Sequence, residues 1–265
     1  MSDKSTLKKI VINALIVYFS VALGLFLIQR SLMYYPTKTP PSLAEFEAGG
    51  VMQVVRVTTA DGLDLQGWYR PAEPGKETIL WLHGNARDYG VRYLFAGDYI
   101  QNGYGVLLAG YRGFAGNPGT PTEEGLYRDA RAWINSLLET GVDIGDIILY
   151  GESLGSGVAM QMATEFKDIH ALILQAPYTS FADVARPRYF FLPVDLMLRD
   201  RYENIKKIQD VEAPLLIMNG ENDRLIPPRH GQRLYEAAAM DMKEIETFPG
   251  AGHNTLPSAL LQKRA

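Results

Sequence analysis

Gly151-Glu152-Ser153-Leu154-Gly155 sets a serine between two glycines, after the apolar run Ile147-Ile148-Leu149 and before a segment rich in Ala and Met. A serine hydroxyl is a weak nucleophile at neutral pH. It needs a base, and the base needs a carboxylate to orient it. At a strand-to-helix junction, G-x-S-x-G holds the serine on a sharp turn with its hydroxyl exposed above the sheet edge. Gly151 and Gly155 remove side chains that would collide across such a turn, and Gly157 lets the following helix approach the sheet. The bland alternative is a glycine-rich loop with no chemistry.

The base must come from four histidines. His83 ends a strand in L-H-G-N, His170 precedes a strand, His230 opens a helix, and His253 follows the last strand in P-G-A-G-H-N. Only His253 comes late enough for the order Ser, acid, His. The acid belongs on the loop after the preceding strand, where Asp223 of G-E-N-D-R is the first choice and Glu221 the runner-up. An oxyanion would need backbone donors. The N–H of Leu154, at a helix start, is one candidate. The N–H of Asn85 in H-G-N-A is the other, with Gly84 letting the backbone come close and His83 fitting a structural role beside it. Nucleophile Ser153, base His253 and orienting acid Asp223 need no metal and no organic cofactor.

These residues fall at the ends of regularly spaced elements. Val51 to Val57 and Leu63 to Tyr69 read as a hairpin around Asp61-Gly62. Thr78 to Leu82 is a short apolar run, as in a strand buried on both faces. Strands at Gly105 to Ala109, Asp146 to Tyr150, Ala171 to Gln175, Leu215 to Asn219 and Lys243 to Phe248 then alternate with helices. The helices are Val91 to Asn102, a segment from Thr120 to about Glu139, Leu154 to Phe166 and Arg229 to Met240. Thr120, Pro121 and Glu123 suggest a capping box with Thr120 as N-cap. Repeated βα units predict a mostly parallel sheet flanked by helices. About forty residues between the strands at Ala171 and Leu215 exceed an ordinary connection and predict a cap insertion over residues 178–210. Its Phe190-Phe191-Leu192 stretch suggests a wall for an acyl pocket. The alternative for the part after Pro193 is a crossover helix with an aromatic packing face.

The N-terminus differs in kind. Ile10 to Ile28 carries no charge and would give roughly 28 Å of helix, close to the thickness of a bilayer's hydrocarbon. Lys4, Lys8 and Lys9 precede it, Arg30 and Lys38 follow it, and Tyr34 and Tyr35 sit where interfacial aromatics would lie. An uncleaved single-pass anchor over residues 1–32 is favoured over a buried core helix or a cleaved signal, since no small-residue cleavage site follows. The lysine excess places the N-terminus inside and the domain on the non-cytoplasmic side. Residues 33–50 read as a linker and residues 51–265 as one α/β domain. Of the 265 residues, 47% are hydrophobic, enough for one sizeable core. A formal net charge of −4 with no basic stripe argues against nucleic acid, and the lack of cysteine excludes disulfides and thiol chemistry. Nothing here indicates an oligomeric state.

L-H-G-N-A, Y-R-G-F-A-G-N-P-G, G-E-S-L-G-S-G, N-G-E-N-D-R-L-I-P and P-G-A-G-H-N, in this order, resemble the α/β-hydrolase superfamily. The likeness is nearest to the membrane-anchored Bem46-like group with its ABHD13 and ABHD17 types. It covers Val51 to Asn254. The resemblance implies an α/β-hydrolase fold, a triad of Ser153, Asp223 and His253, and hydrolysis of esters or thioesters of lipid-like acyl groups. Alternatives are a serine peptidase on the same fold and a membrane-associated binding protein without activity. Two departures stand out. Gly110 occupies the place before Y-R-G where such relatives carry an acidic residue, which suggests a looser loop. Thr255 to Arg264 offers only a short form of the expected terminal helix.

Overall fold

A computed structural model of the protein describes residues 2–85 and 88–256. The expected terminal helix falls almost wholly outside them. The strands are β1 (Gln53–Thr58), β2 (Asp64–Arg70), β3 (Thr78–Leu82), β4 (Gly105–Ala109), β5 (Ile147–Glu152), β6 (Ala171–Gln175), β7 (Leu215–Gly220) and β8 (Lys243–Phe248). They form one eight-stranded sheet in the order β1-β2-β4-β3-β5-β6-β7-β8. β1 and β2 are antiparallel to their neighbours, and all later pairings are parallel. This is the α/β-hydrolase arrangement.

The helices are α1 (Ser2–Met33), α2 (Tyr89–Gln101), α3 (Glu123–Glu139), α4 (Leu154–Glu165), α5 (Phe181–Ala185), α6 (Val194–Met197), α7 (Asn204–Lys207) and α8 (Arg229–Ala237). Every residue of β3 and β4 is buried, as continuous apolar strands require when both faces are covered. Alternation sends Leu80, Leu107, Leu149 and Leu172 to the face under α3 and α4. It sends Ile79, Val106, Ile148 and Ile173 to the face under α2.

Three expectations change in detail. The N-cap of α3 is Thr122, whose hydroxyl accepts the Gly125 N–H at 2.9 Å, and not Thr120. Glu123 closes no box, because its carboxylate serves the Tyr127 hydroxyl and the Arg201 N–H. Gly110 does not loosen its loop. A Cβ there would lie 2.0 Å from the Gln66 carbonyl oxygen, so no acidic side chain fits. The loop is held by Asn117, which accepts the Gln66 N–H at 2.8 Å, and by Arg112, which grips Asp129 and Asp61. In the long connection after β6, the part following Arg201 is a crossover: Tyr202, Ile208 and Val211 are buried in the main core. The cap proper is the stretch from α5 to α6.

Residues 33–50 do not hang free. Tyr34 and Ala48 are buried, and Pro41 lies so near Gly90 that a Cβ there would collide with it. The Ala115 N–H bonds to the Thr37 carbonyl at 2.8 Å, and the Tyr34 and Tyr202 hydroxyls are 3.1 Å apart. Phe46 packs edge-on to Trp68. The prolines that suggest a linker instead fix an extended path over the surface of the domain. Tyr34→Ala is therefore expected to lower the unfolding free energy of the full chain by about 3 kcal/mol or more. Tyr35→Ala, with its ring exposed, is expected to change it by under about 0.5 kcal/mol. Equal shifts in the urea midpoints of the two variants would show that this segment does not hold the fold.

Candidate active site

Ser153 sits between the end of β5 and the start of α4 with φ 49°, a left-handed value rare for a side-chain-bearing residue. The strain is held from several sides. The Ser153 N–H donates to the Gln175 carbonyl at 2.8 Å, and its own carbonyl accepts from the Ser156 N–H at 2.9 Å and hydroxyl at 2.6 Å. A Cβ at Gly155 would lie 1.9 Å from the Leu82 carbonyl oxygen, and one at Gly151 would lie 2.7 Å from Ala159. The glycines are there because helix and strands meet with no room for a methyl group.

The Ser153 hydroxyl lies 3.0 Å from His253 Nε2, and His253 Nδ1 lies 2.6 Å from Asp223 Oδ2. The other carboxylate oxygen of Asp223 accepts the N–H groups of Leu225 and Ile226 at 2.9 and 2.8 Å. The carboxylate is thus buried, fully engaged and fixed in orientation. Glu221 is not the partner of the histidine. It accepts the Gly250 N–H at 2.8 Å and so ties down the loop that carries His253. In the neutral imidazole this arrangement puts the proton on Nδ1 and leaves Nε2 free to take one from the serine.

The other histidines are placed elsewhere. His170 is exposed, 3.9 Å from Glu77. His230 is buried against the Thr179 hydroxyl. His83 is fully buried, its Nδ1 donating to the Gly84 carbonyl at 2.7 Å and its ring lying 4.3 Å from that of Tyr111. Burial, with the nearby Arg92 charge adding to it, pushes the His83 pKa down to about 3. It stays neutral and supports the loop after β3.

A cavity of about 420 Å³ opens over Ser153, lined also by Gly84, Asn85, Leu154 and His253. Leu154 is the first residue of α4, so its N–H has no acceptor inside the helix. Asn85 and Leu154, the residues expected to supply backbone donors for an oxyanion, thus line the same space as the serine. Among the described residues, no group of three His, Asp or Glu could hold a metal ion.

Three features of the site escape sequence reading. Arg92 of α2 forms a two-pronged pair with Glu152, at 2.8 and 2.6 Å, beside the serine. The Asn85 side chain accepts the Tyr35 N–H at 2.9 Å and donates to the Met33 carbonyl at 2.6 Å, tying the loop after β3 to the end of α1. Leu25, Phe26, Gln29, Leu32 and Met33 of α1 form one wall of the cavity, facing Leu192, Met197 and Leu198 of the cap. Of the expected Phe190-Phe191-Leu192 wall, only Leu192 lines the cavity, whereas Phe190 and Phe191 are exposed. The signal in α1 was Gln29, an amide directly after the apolar run. It donates to the Met197 carbonyl and accepts the Arg199 N–H.

The family described as serine aminopeptidase, S33, matches residues 73–199 and 197–257. An uncharacterized protein of Mycobacterium tuberculosis is 40% identical over 232 residues, covering 85% of this chain and 80% of that one. The human α/β hydrolase domain-containing protein 17B is 33% identical over 187 residues, covering 68% of this chain and 61% of that one. Among solved structures, an esterase of Pyrococcus furiosus superposes with a TM-score of 0.68 at 21% identity, covering 84% of this chain and 90% of that one.

The buried His83 sets a pH dependence. Its folded pKa of about 3 lies below the ordinary 6.5, so between those values the unfolded chain takes up a proton that the folded chain does not. Stability is therefore complete above pH 6.5 and falls as the pH drops toward 3, by up to about 1.4 kcal/mol per pH unit from this group. His83→Gln is expected to remove that contribution and flatten the fall in unfolding free energy between pH 6 and pH 4. An unchanged slope in the variant would assign the acid sensitivity to other groups.

Proposed function

The chain belongs to the serine aminopeptidase S33 family within the α/β-hydrolase superfamily, and from that premise we propose that it cleaves carboxylic esters or thioesters through an acyl-enzyme on Ser153. The observation that carries this reading is the continuous chain of hydrogen bonds from Ser153 through His253 to the locked Asp223.

In this mechanism His253 Nε2 takes the hydroxyl proton as Ser153 Oγ bonds to the substrate carbonyl carbon. Asp223 holds the tautomer and balances the imidazolium. The N–H groups of Leu154 and Asn85 receive the oxyanion. Collapse expels the alcohol or thiol, which takes the proton from His253. Water, deprotonated in turn by His253, then attacks the acyl-enzyme and frees the acid and Ser153. Arg92 of α2 and Glu152, the last residue of β5, form their pair beside these groups. A Cβ at Gly84 would lie 3.0 Å from Glu152, so the pair sets how closely the loop after β3 approaches.

The family description makes a peptidase the second reading. An aminopeptidase needs a free anion for the substrate's terminal ammonium. Glu152 is the one carboxylate among the residues lining the cavity, and Arg92 already neutralises it. The apolar walls fit an acyl chain better. We place α1 as a single-pass anchor: residues 4–33 form a helix long and apolar enough to cross a membrane. With Lys4, Lys8 and Lys9 at its start, the domain lies on the non-cytoplasmic side.

The full chain in detergent is expected to bind a fluorophosphonate probe covalently and to turn over a short-chain thioester. Ser153→Ala should abolish labelling and lower turnover by about 10³-fold or more. Asp223→Asn is expected to cost about 10³- to 10⁴-fold with the fold intact. A folded wild type that does not label would leave the reading of a binding protein. Faster cleavage of aminoacyl amides than of matched esters would favour the peptidase.

A further inference from the structure

Residues 4–17 of α1 are exposed on every side, whereas from Ala22 onward a stripe of Ala22, Leu25, Phe26, Gln29 and Met33 is covered. Its cover is the cap and the residues that follow it, with Met33 packed against the main core. The Tyr18 hydroxyl donates to the Phe191 carbonyl at 3.0 Å, Phe26 lies under the Arg199 guanidinium at 4.3 Å, and Arg30 pairs with Asp200 at 2.8 Å. These contacts follow the helix from Tyr18 to Arg30, about 18 Å along its axis.

The length of the apolar run makes this decisive. The part of α1 that is exposed on every side, residues 4–17, gives only about 21 Å of helix, short of the roughly 30 Å of a hydrocarbon core. If α1 crosses a bilayer, the span must include the stretch from Tyr18 to Ile28, and whatever packs on that stretch enters the bilayer with it. The exposed side chains of the cap suit that position. Phe190 is 83% exposed, Leu196 87% and Phe191 46%, a cluster that water disfavours. Of the charges that border the cluster, Arg186 is matched by Asp195 and Asp183, as a low-dielectric boundary demands, and Arg188 borders the cavity. Arg30 and Asp200 close the apolar stretch at the domain end, at the level of the headgroups.

We propose that the cap tip, Phe190, Phe191 and Leu196, is a second membrane-inserted element beside α1, and that the seam between them admits the acyl chain of a bilayer-resident ester or thioester to Ser153 directly from the hydrocarbon. The cavity lies in this seam: Leu25 and Phe26 on one side and Leu192 and Met197 on the other line the same space as Ser153. A chain leaving the bilayer there reaches the serine without crossing water, and its scissile carbonyl stops at the headgroup level where Ser153 and His253 stand. The proposal rests on the reading of α1 as a span and of Ser153 as nucleophile.

The chain has no cysteine, so single labels are unambiguous. Nitroxides at Phe190→Cys and Leu196→Cys in the full chain, reconstituted in phosphatidylcholine vesicles, are expected to behave like one at Phe19→Cys. They should be open to oxygen and shielded from a water-soluble nickel chelate. A control at Glu139→Cys, on the far end of α3, should be reached by the chelate. Labels at 190 and 196 that resemble the one at 139 overturn the proposal, as does a label at 19 that is itself wet. The double variant Phe190→Asp/Leu196→Asp alters no residue that lines the cavity. It is expected to lose about tenfold or more of the turnover of a long-chain ester held in vesicles while keeping its rate on a short water-soluble ester within about twofold. Equal effects on both substrates overturn the portal. A wild type that cleaves neither ester counts against the hydrolase reading alone, and the labels then decide the membrane contact independently.

Discussion

The approach of the first turn of α4 to the end of β3 is the constraint on which the site depends. Gly155 meets the Leu82 carbonyl oxygen with no room for a side chain, and this contact does two things at once. It forces the chain at Ser153 into a left-handed turn that lifts the hydroxyl clear of the sheet. It also brings the loop after β3, with Gly84 and Asn85, beside the N-terminus of α4. Because β3 and β5 are parallel neighbours, the serine and the proposed oxyanion donors arise from one packing event. Asp223 and His253 then arrive from the ends of β7 and β8, the pair of strands that completes the sheet.

Arginine forks hold the loops around this centre. Arg92 joins α2 to Glu152, Arg112 joins the loop after β4 to Asp129 and Asp61, and Arg30 joins α1 to Asp200. Each links segments far apart in the chain, and each presents a planar donor set to a carboxylate that is wholly or partly buried. In such places the energy gained is modest, because both ions lose water. What these pairs contribute is register: a loop held by a two-pronged bond has few alternative positions, and the site needs its donors fixed to within a fraction of an ångström.

How much of this the sequence carried depended on whether the signal was local. All eight strands were legible, because a short apolar run between turns is a local pattern. Ser153, Asp223 and His253, which the structure brings into one hydrogen-bonded chain, could be singled out as candidates because each sits on a loop directly after a strand, in an order that admits few alternatives. Thr122 displaced Thr120 as N-cap because Glu123 is occupied by Tyr127 and Arg201, the latter far along the chain and invisible to a four-residue motif. Gly110 suggested a loosened loop, since nothing local reveals that the Gln66 carbonyl fills the space. The contacting face of α1 was hidden for a different reason. A helix apolar on all sides shows no stripe, so the residues that meet the cap look like those that meet solvent or lipid.

The sheet and the walls of the cavity therefore answer different questions. Ser153, His253, Asp223 and the two proposed backbone donors stand on strand ends and a helix start, rigid positions shared by any chain with this arrangement. The surfaces that would touch the rest of a substrate come from α1 and from the cap, the two parts least determined by the sheet. Asn85 joins the two systems, because it borders the same cavity as the serine while its side chain is spent on Met33 and Tyr35. A displacement of α1 thus cannot stay confined to that helix. It would pull on the loop expected to receive the oxyanion as well as open the wall of the cavity, so the position of α1 bears on both the rate and the choice of substrate.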